Sequence, residues 1–153
     1  MDIYVMDKEH PLWEKTADFA QACSWKAGPF LADMMRSGKI CGIERVIAAC
    51  EGDDILGFCT LSEKDELPDI YDYTPFIGFV FVDEKARGKR LSEKMIEAAS
   101  GYAAGTGYEY VYILSGEEGL YEKYGFEKIG DIDTIYGSTD QLFRKRILTG
   151  NEE

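Results

Sequence analysis

Apolar residues cluster most clearly in the middle of the chain. Residues 77–82 form a β-branched and aromatic run that is typical of a buried strand. After a basic turn, apolar and small residues recur at helical spacing, at Leu91, Met95, Ala98, Ala99, Tyr102 and Ala103. A second buried strand is predicted over residues 110–114. The pattern therefore predicts a strand, a turn that contains a glycine, a helix over about residues 90–104, and another strand.

Shorter patterns of apolar and polar residues predict the elements in the rest of the chain. They predict strands over residues 1–6, 43–50 and 55–61, helices over 11–25, 30–36 and 119–124, and a closing antiparallel pair over 126–136 and 142–148. Gly28-Pro29 is expected to break the first helix, and residues 137–140 to connect the last two strands.

The spacing of these elements predicts an α/β (α+β) fold with a mixed, mostly antiparallel sheet flanked by helices. Residues 77–114 have the length of a right-handed strand–helix–strand crossover, so their two strands are expected to be parallel. Since no GxGxxG sequence follows a strand, a Rossmann site is disfavoured. We expect one domain over residues 1–150 and a frayed tail over 151–153.

The central turn is basic although the chain as a whole is acidic. The 153-residue chain has a formal net charge of −12, yet residues 85–90 hold four Lys and Arg and no acid. Cations at a helix N-terminus favour an anion, most naturally a phosphate, although such a turn can also be a solvated surface feature. The acidic balance argues against binding to nucleic acid or to an anionic membrane surface.

Cysteine and histidine usage argues against a metal site. Cys23, Cys41, Cys50 and Cys59 show no CxxC spacing, and His10 is the only histidine. No signal peptide and no apolar run near 18 residues is apparent. We therefore expect a cytoplasmic protein with reduced thiols and no bound metal.

Two segments resemble one superfamily. Residues 82–92 (VDEKARGKRLS) resemble the acyl-CoA-binding segment of the GNAT N-acetyltransferases, and residues 120–126 (LYEKYGF) are similar to that family's late helix-to-strand signature. Both occur in the family's order and at its spacing. The chain departs from the family pattern at Arg90, where a Gly is expected, and at Ser92, where Gly or Ala is expected. The resemblance implies a sheet whose central parallel strand pair is splayed.

The resemblance also implies the co-substrate and its contacts. Acetyl-CoA would place its pyrophosphate on the segment Arg87, Gly88, Lys89, Arg90, Leu91 and Ser92. Its pantetheine would pair with the backbone of Val80, Phe81 and Val82, beside a β-bulge near Gly78 or Phe79. The Arg90 side chain would either turn outward or clamp a phosphate.

The catalytic residue implied by the resemblance is Tyr121. A thiol has a pKa of about 8.5 and a phenol one of about 10, so a tyrosine can keep its proton at neutral pH and donate it to a departing thiolate. The alternative is a tyrosine that only packs on a short helix. Tyr124 is the weaker catalytic candidate and is expected to contact the cofactor.

Three acidic residues are candidates for the amine site. Glu66, Asp69 and Asp72 precede the central strand and are expected to bind a cationic acceptor or relay its proton, unless they form only a solvated loop. The acceptor remains open among small-molecule amines, peptide N-termini and protein lysines. The last two strands are compatible with a homodimer. The alternatives to an enzyme are a non-catalytic CoA-binding or sensing module and a protein whose basic turn binds an acidic partner.

Overall fold

A computed structural model describes residues 1–65, 68 and 71–147. The strands are β1 (Asp2–Met6), β2 (Arg45–Glu51), β3 (Asp54–Ser62), β4 (Phe76–Val82), β5 (Tyr110–Ser115), β6 (Glu127–Asp133) and β7 (Thr139–Arg146). The helices are α1 (Trp13–Ala22), α2 (Gly28–Arg36), α3 (Leu91–Gly105) and α4 (Leu120–Lys123), with a 3-10 turn at Glu84–Ala86.

The strands form one sheet in the order β1-β2-β3-β4-β5-β7-β6. The β4–β5 pair is parallel and the other described pairs are antiparallel. This confirms the predicted mixed, mostly antiparallel sheet and the strand–helix–strand crossover through α3. None of the helices within the described residues is long and apolar enough to cross a membrane.

Helices cover both faces of the sheet. Met95, Ala99 and Ala103, spaced four residues apart on α3, are fully buried against one face. On the other face, Leu31 of α2 belongs to a second core that includes Trp13 of α1. Strand β2 is sandwiched between these cores, which explains why residues 46–50 are all buried rather than alternating.

The first two helices differ from the prediction. The first ends at Ala22, and Gly28-Pro29, predicted to break it, instead begins α2. Proline is tolerated in the first turn of a helix because its missing N–H has no intrahelical partner there. A Cβ at Gly28 would lie 2.2 Å from the Ala20 carbonyl oxygen, so a glycine permits the two helices to meet.

The central strand pair is splayed. Its register contains a single pair, Phe76 with Tyr112, and the Tyr112 N–H donates to the Pro75 carbonyl at 3.0 Å. Beyond this point β4 carries a bulge opposite Cys59, where Phe79 has a φ of +49°. The predicted bulge is thus confirmed. It leaves the Val80–Val82 edge of β4 beside a gap in the sheet.

Candidate active site

A groove of about 250 Å³ lies beside this gap. It is lined by eight predicted site residues from four separate elements: Val80, Val82, Arg87, Gly88, Arg90, Leu91, Ser92 and Tyr121. Ala86, Glu117 and Leu120 also line it, and the sequence analysis did not select them. Three predicted cofactor-binding residues lie outside the lining: Phe81 is buried on the opposite face, as strand alternation requires, Lys89 is exposed, and Tyr124 lines a neighbouring cavity.

The N-terminus of α3 opens on this groove. Arg90 occupies the N-cap position, and no side chain there accepts a hydrogen bond from the first turn. The first N–H of the helix with an intrahelical partner is that of Lys94, which donates to the Arg90 carbonyl at 3.2 Å. The earlier N–H groups have no intrahelical partner and lie at the positive end of the helix dipole, an arrangement that favours an anion.

The two arginines of the turn have different roles. The Arg87 Nε donates to the Val82 carbonyl at 2.9 Å, and its guanidinium lies 5.8 Å from the centre of the Phe81 ring. The Arg90 Nε donates to Glu93 Oε1 at 2.5 Å, and this hydrogen bond lowers the pKa of the Glu93 carboxyl. Arg87 therefore joins the turn to the end of β4, whereas the Arg90 side chain is turned toward α3.

Backbone geometry explains the family's preference at position 90. Arg90 has a φ of +59° and a ψ of +34°, a left-handed conformation that glycine adopts without penalty. The turn therefore keeps the conformation that suits a glycine even though an arginine stands there.

Tyr121 is held by aromatic packing. It is 5% exposed, and its ring centre lies 5.7 Å from that of Phe143 and 6.3 Å from that of Phe126. Burial, followed by the nearby Glu117, raises the pKa of Tyr121 to about 12, while the Ser115 side chain opposes the rise. The phenol is therefore protonated at neutral pH.

Tyr124 does not line the groove but is hydrogen-bonded to Ser92, which does. Its hydroxyl lies 2.7 Å from the Ser92 Oγ, and its carbonyl accepts a hydrogen bond from Lys145 Nζ at 2.9 Å. Tyr124 itself lines a neighbouring cavity of about 270 Å³ rather than the groove. Its contacts fix α4 against the first turn of α3.

A larger cavity of about 390 Å³ lies at the bulge and is lined by Gly78 and Phe79 of β4. It contains charged side chains that the sequence analysis did not select: Lys39, Glu44, Arg45, Lys64, Asp65 and Asp140. Of the predicted substrate residues, Asp72 is exposed and lines neither this cavity nor the groove. Glu66 and Asp69 lie outside the described residues. Within the described part of the chain, no group of His, Cys, Asp and Glu is arranged to hold a metal ion.

Solved structures share this fold. An aminoglycoside 6'-N-acetyltransferase from Enterococcus faecium is 16% identical, with 97% of this chain and 98% of that chain covered at a TM-score of 0.75. An aminoglycoside 6'-N-acetyltransferase complexed with coenzyme A is 16% identical, with 97% and 98% covered and a TM-score of 0.72. A putative acetyltransferase from Salmonella typhimurium with its cofactor acetyl-CoA is 16% identical, with 97% and 95% covered and a TM-score of 0.65.

Sequence comparison defines the family. No functionally curated protein matches the chain significantly. A family model described as an acetyltransferase (GNAT) domain matches residues 42–128, which extend from the segment before β2 into β6 and include the groove. The chain therefore belongs to the GNAT acetyltransferase family.

Proposed function

We propose that the protein transfers an acetyl group from acetyl-CoA directly to a primary amine. One observation carries the proposal: the uncapped N-terminus of α3, the open edge of β4 and the protonated Tyr121 all border one groove. An anion site, an extended backbone edge and a hydrogen-bond donor are what a diphosphate, a pantetheine and a departing thiolate respectively require.

The groove residues fit such a co-substrate. The N–H groups of the first turn of α3, with the Arg87 guanidinium beside them, would hold the diphosphate. The Val80–Val82 edge would pair with the pantetheine amides, as an added strand does. Since Val80 and Val82 line the groove, their apolar side chains would limit the access of water to the thioester.

The reaction requires two proton movements. The amine must lose a proton before its nitrogen attacks the thioester carbonyl carbon, since an alkyl ammonium has a pKa of about 10.4. The new C–N bond forms, the C–S bond breaks and the sulfur leaves as a thiolate that must be stabilised. A main-chain N–H near Val82 would stabilise the negative charge that develops on the carbonyl oxygen.

Tyr121 would act on the departing sulfur. Because its pKa of about 12 lies above the roughly 8.5 of a free thiol, full proton transfer from the phenol to the thiolate is uphill. Tyr121 therefore contributes mainly as a hydrogen-bond donor that lowers the energy of the thiolate. The nitrogen loses its second proton as the amide forms and the thiolate takes up one proton, so the products are an N-substituted acetamide, the CoA thiol and one proton released to solvent.

Two measurements test this function. Acetyl-CoA should raise the melting temperature of the protein, because a ligand that binds only the folded state stabilises it. The protein should then release CoA thiol in the presence of pooled primary amines. Binding without thiol release would favour the non-catalytic sensing module, and absence of binding would favour a surface that recognises an acidic partner.

A further inference from the structure

The cavity at the bulge has charged side chains of both signs. Most of its polar side chains are already engaged: Glu44 accepts from the Glu63 N–H at 2.9 Å, while Thr60 and Ser62 donate to backbone carbonyls. Arg45 donates to two carbonyls and lies over the Tyr102 ring. Lys64 and Asp65 have interactions of their own.

Two charged side chains in the cavity have no such partner among the residues that the structure describes. Within the described part of the chain, Lys39 and Asp140 line the cavity without a side-chain hydrogen bond or an ion pair. Asp140 is half-buried, and a carboxylate so placed gains from a cation that replaces its lost water. The cavity thus presents the half-buried carboxylate of Asp140 and the exposed ammonium of Lys39, which make no hydrogen bond or ion pair within the described residues. Glu44 and Arg45 add one charge of each sign that is hydrogen-bonded to the backbone.

The sheet order places these charges on elements that lie on opposite sides of the β4–β5 gap. Asp140 lies on β7, the strand next to β5, whose Leu114 also lines the cavity. Lys39 lies in the turn between α2 and β2, on the other side of β3 and β4. In strand order the gap is nearer to Asp140 than to Lys39. Met34, Ile40 and Phe79 are among the apolar residues that line the cavity.

From this arrangement we propose that the acceptor is an amine that also carries an anionic group, such as an amino acid. The inference rests on the proposed function and specifies its substrate class. Asp140 binds the ammonium beside the gap, where the thioester would lie, and Lys39 binds the carboxylate. A polycationic acceptor would instead bring a second ammonium toward Lys39, where like charges repel.

Matched amines test the substrate class directly. The thiol-release assay is run with α- and ω-amino acids of two to six carbons, with alkylamines of the same lengths and with the corresponding diamines. We expect the best amino acid to exceed its alkylamine and diamine counterparts in kcat/KM by about tenfold, the size of one charge-assisted hydrogen bond. Equal or better rates with the alkylamine or the diamine would overturn the proposal.

Variants of Lys39 and Asp140 test which group of the acceptor each side chain binds. Lys39→Met should lower kcat/KM for the amino acid about tenfold relative to the alkylamine and so remove the preference, and Lys39→Glu should shift the preference toward the diamine. Asp140→Asn should raise the KM of every amine about tenfold with acetyl-CoA affinity unchanged. Lys128→Met and Asp131→Asn are matched controls, since these residues form a surface ion pair of 2.9 Å outside the cavity.

The outcomes separate this inference from the proposed function. Thiol release with other amines but never with amino acids would contradict the substrate class alone, as would a Lys39→Met effect that is equal for all three series. Absence of thiol release with every amine would contradict the enzyme itself, and the substrate class with it.

Discussion

The hydroxyl of Tyr124 and the Oγ of Ser92 lie 2.7 Å apart and join two elements that are 32 residues apart in sequence. Ser92 belongs to the first turn of α3 and Tyr124 follows α4, so the hydrogen bond links the N-terminus of α3 to the helix that carries Tyr121. This contact gives a reason for a serine where the family pattern has glycine or alanine.

A double-mutant cycle tests that link. Ser92→Ala and Tyr124→Phe should each lower the free energy of unfolding by about 1 kcal/mol, the usual net value of one hydrogen bond, and the double variant should lose little more than either alone. Urea denaturation of the four proteins measures the coupling. Losses that simply add would show that the two hydroxyls act independently.

The Arg87 guanidinium is expected to bind a phosphate of acetyl-CoA. Arg87→Ala should weaken acetyl-CoA binding about tenfold and flatten its dependence on salt, because one charge-assisted contact is lost. Calorimetric titration measures both effects. Lys85→Ala is the control, since this exposed lysine of the same turn does not line the groove; an equal loss in both variants would point to a diffuse electrostatic effect instead.

The left-handed conformation of Arg90 predicts a gain in stability from glycine. Arg90→Gly should raise the free energy of unfolding by about 1 kcal/mol, because an L-residue is strained at this φ and glycine is not. Arg90→Ala also loses the ion pair with Glu93 but keeps the strain, so the difference between the two variants isolates the backbone. Equal stabilities would argue against strain at this position.

The raised pKa of Tyr121 predicts an alkaline loss of stability. The unfolded phenol ionises near pH 10 and the folded one near pH 12, so the contribution of Tyr121 to folding is complete below pH 10 and declines as the pH rises to about 12. Thermal melts across this range should show a steeper decline for the wild type than for Tyr121→Phe. Parallel curves would indicate an ordinary pKa for this phenol.

Tyr121→Phe should also reduce turnover. The variant keeps the ring that packs against Phe126 and Phe143 but lacks the hydrogen bond to the departing sulfur. We expect kcat to fall on the order of 100-fold, with acetyl-CoA affinity within about twofold of the wild type. A variant with the wild-type kcat would assign the stabilisation of the departing thiolate to another group.

Local patterns account for what the sequence predicted well. The apolar run of β4 and the four-residue spacing along α3 are encoded within a few residues, and the resemblance placed Arg87, Ser92 and Tyr121 around one ligand. The structure brings these three residues to one groove. Their individual contacts with acetyl-CoA stay predictions.

Long-range register accounts for what the sequence did not reveal. Lys39 and Asp140 are 101 positions apart and share a cavity only because the sheet order places β7 beside β5. Asp140 falls in a segment predicted as a turn, yet it pairs with Ile132 in the last hairpin. Neither residue has a local signal, since an acid in a turn and a lysine after a helix are ordinary surface features.

The most direct test of the account is the crystal structure of the protein with acetyl-CoA. We predict that the diphosphate contacts the backbone N–H groups between Gly88 and Ser92, that the pantetheine pairs with Val80–Val82, and that the sulfur lies within hydrogen-bond reach of the Tyr121 hydroxyl. A coenzyme bound elsewhere, or one whose sulfur lies far from Tyr121, would contradict the central claim.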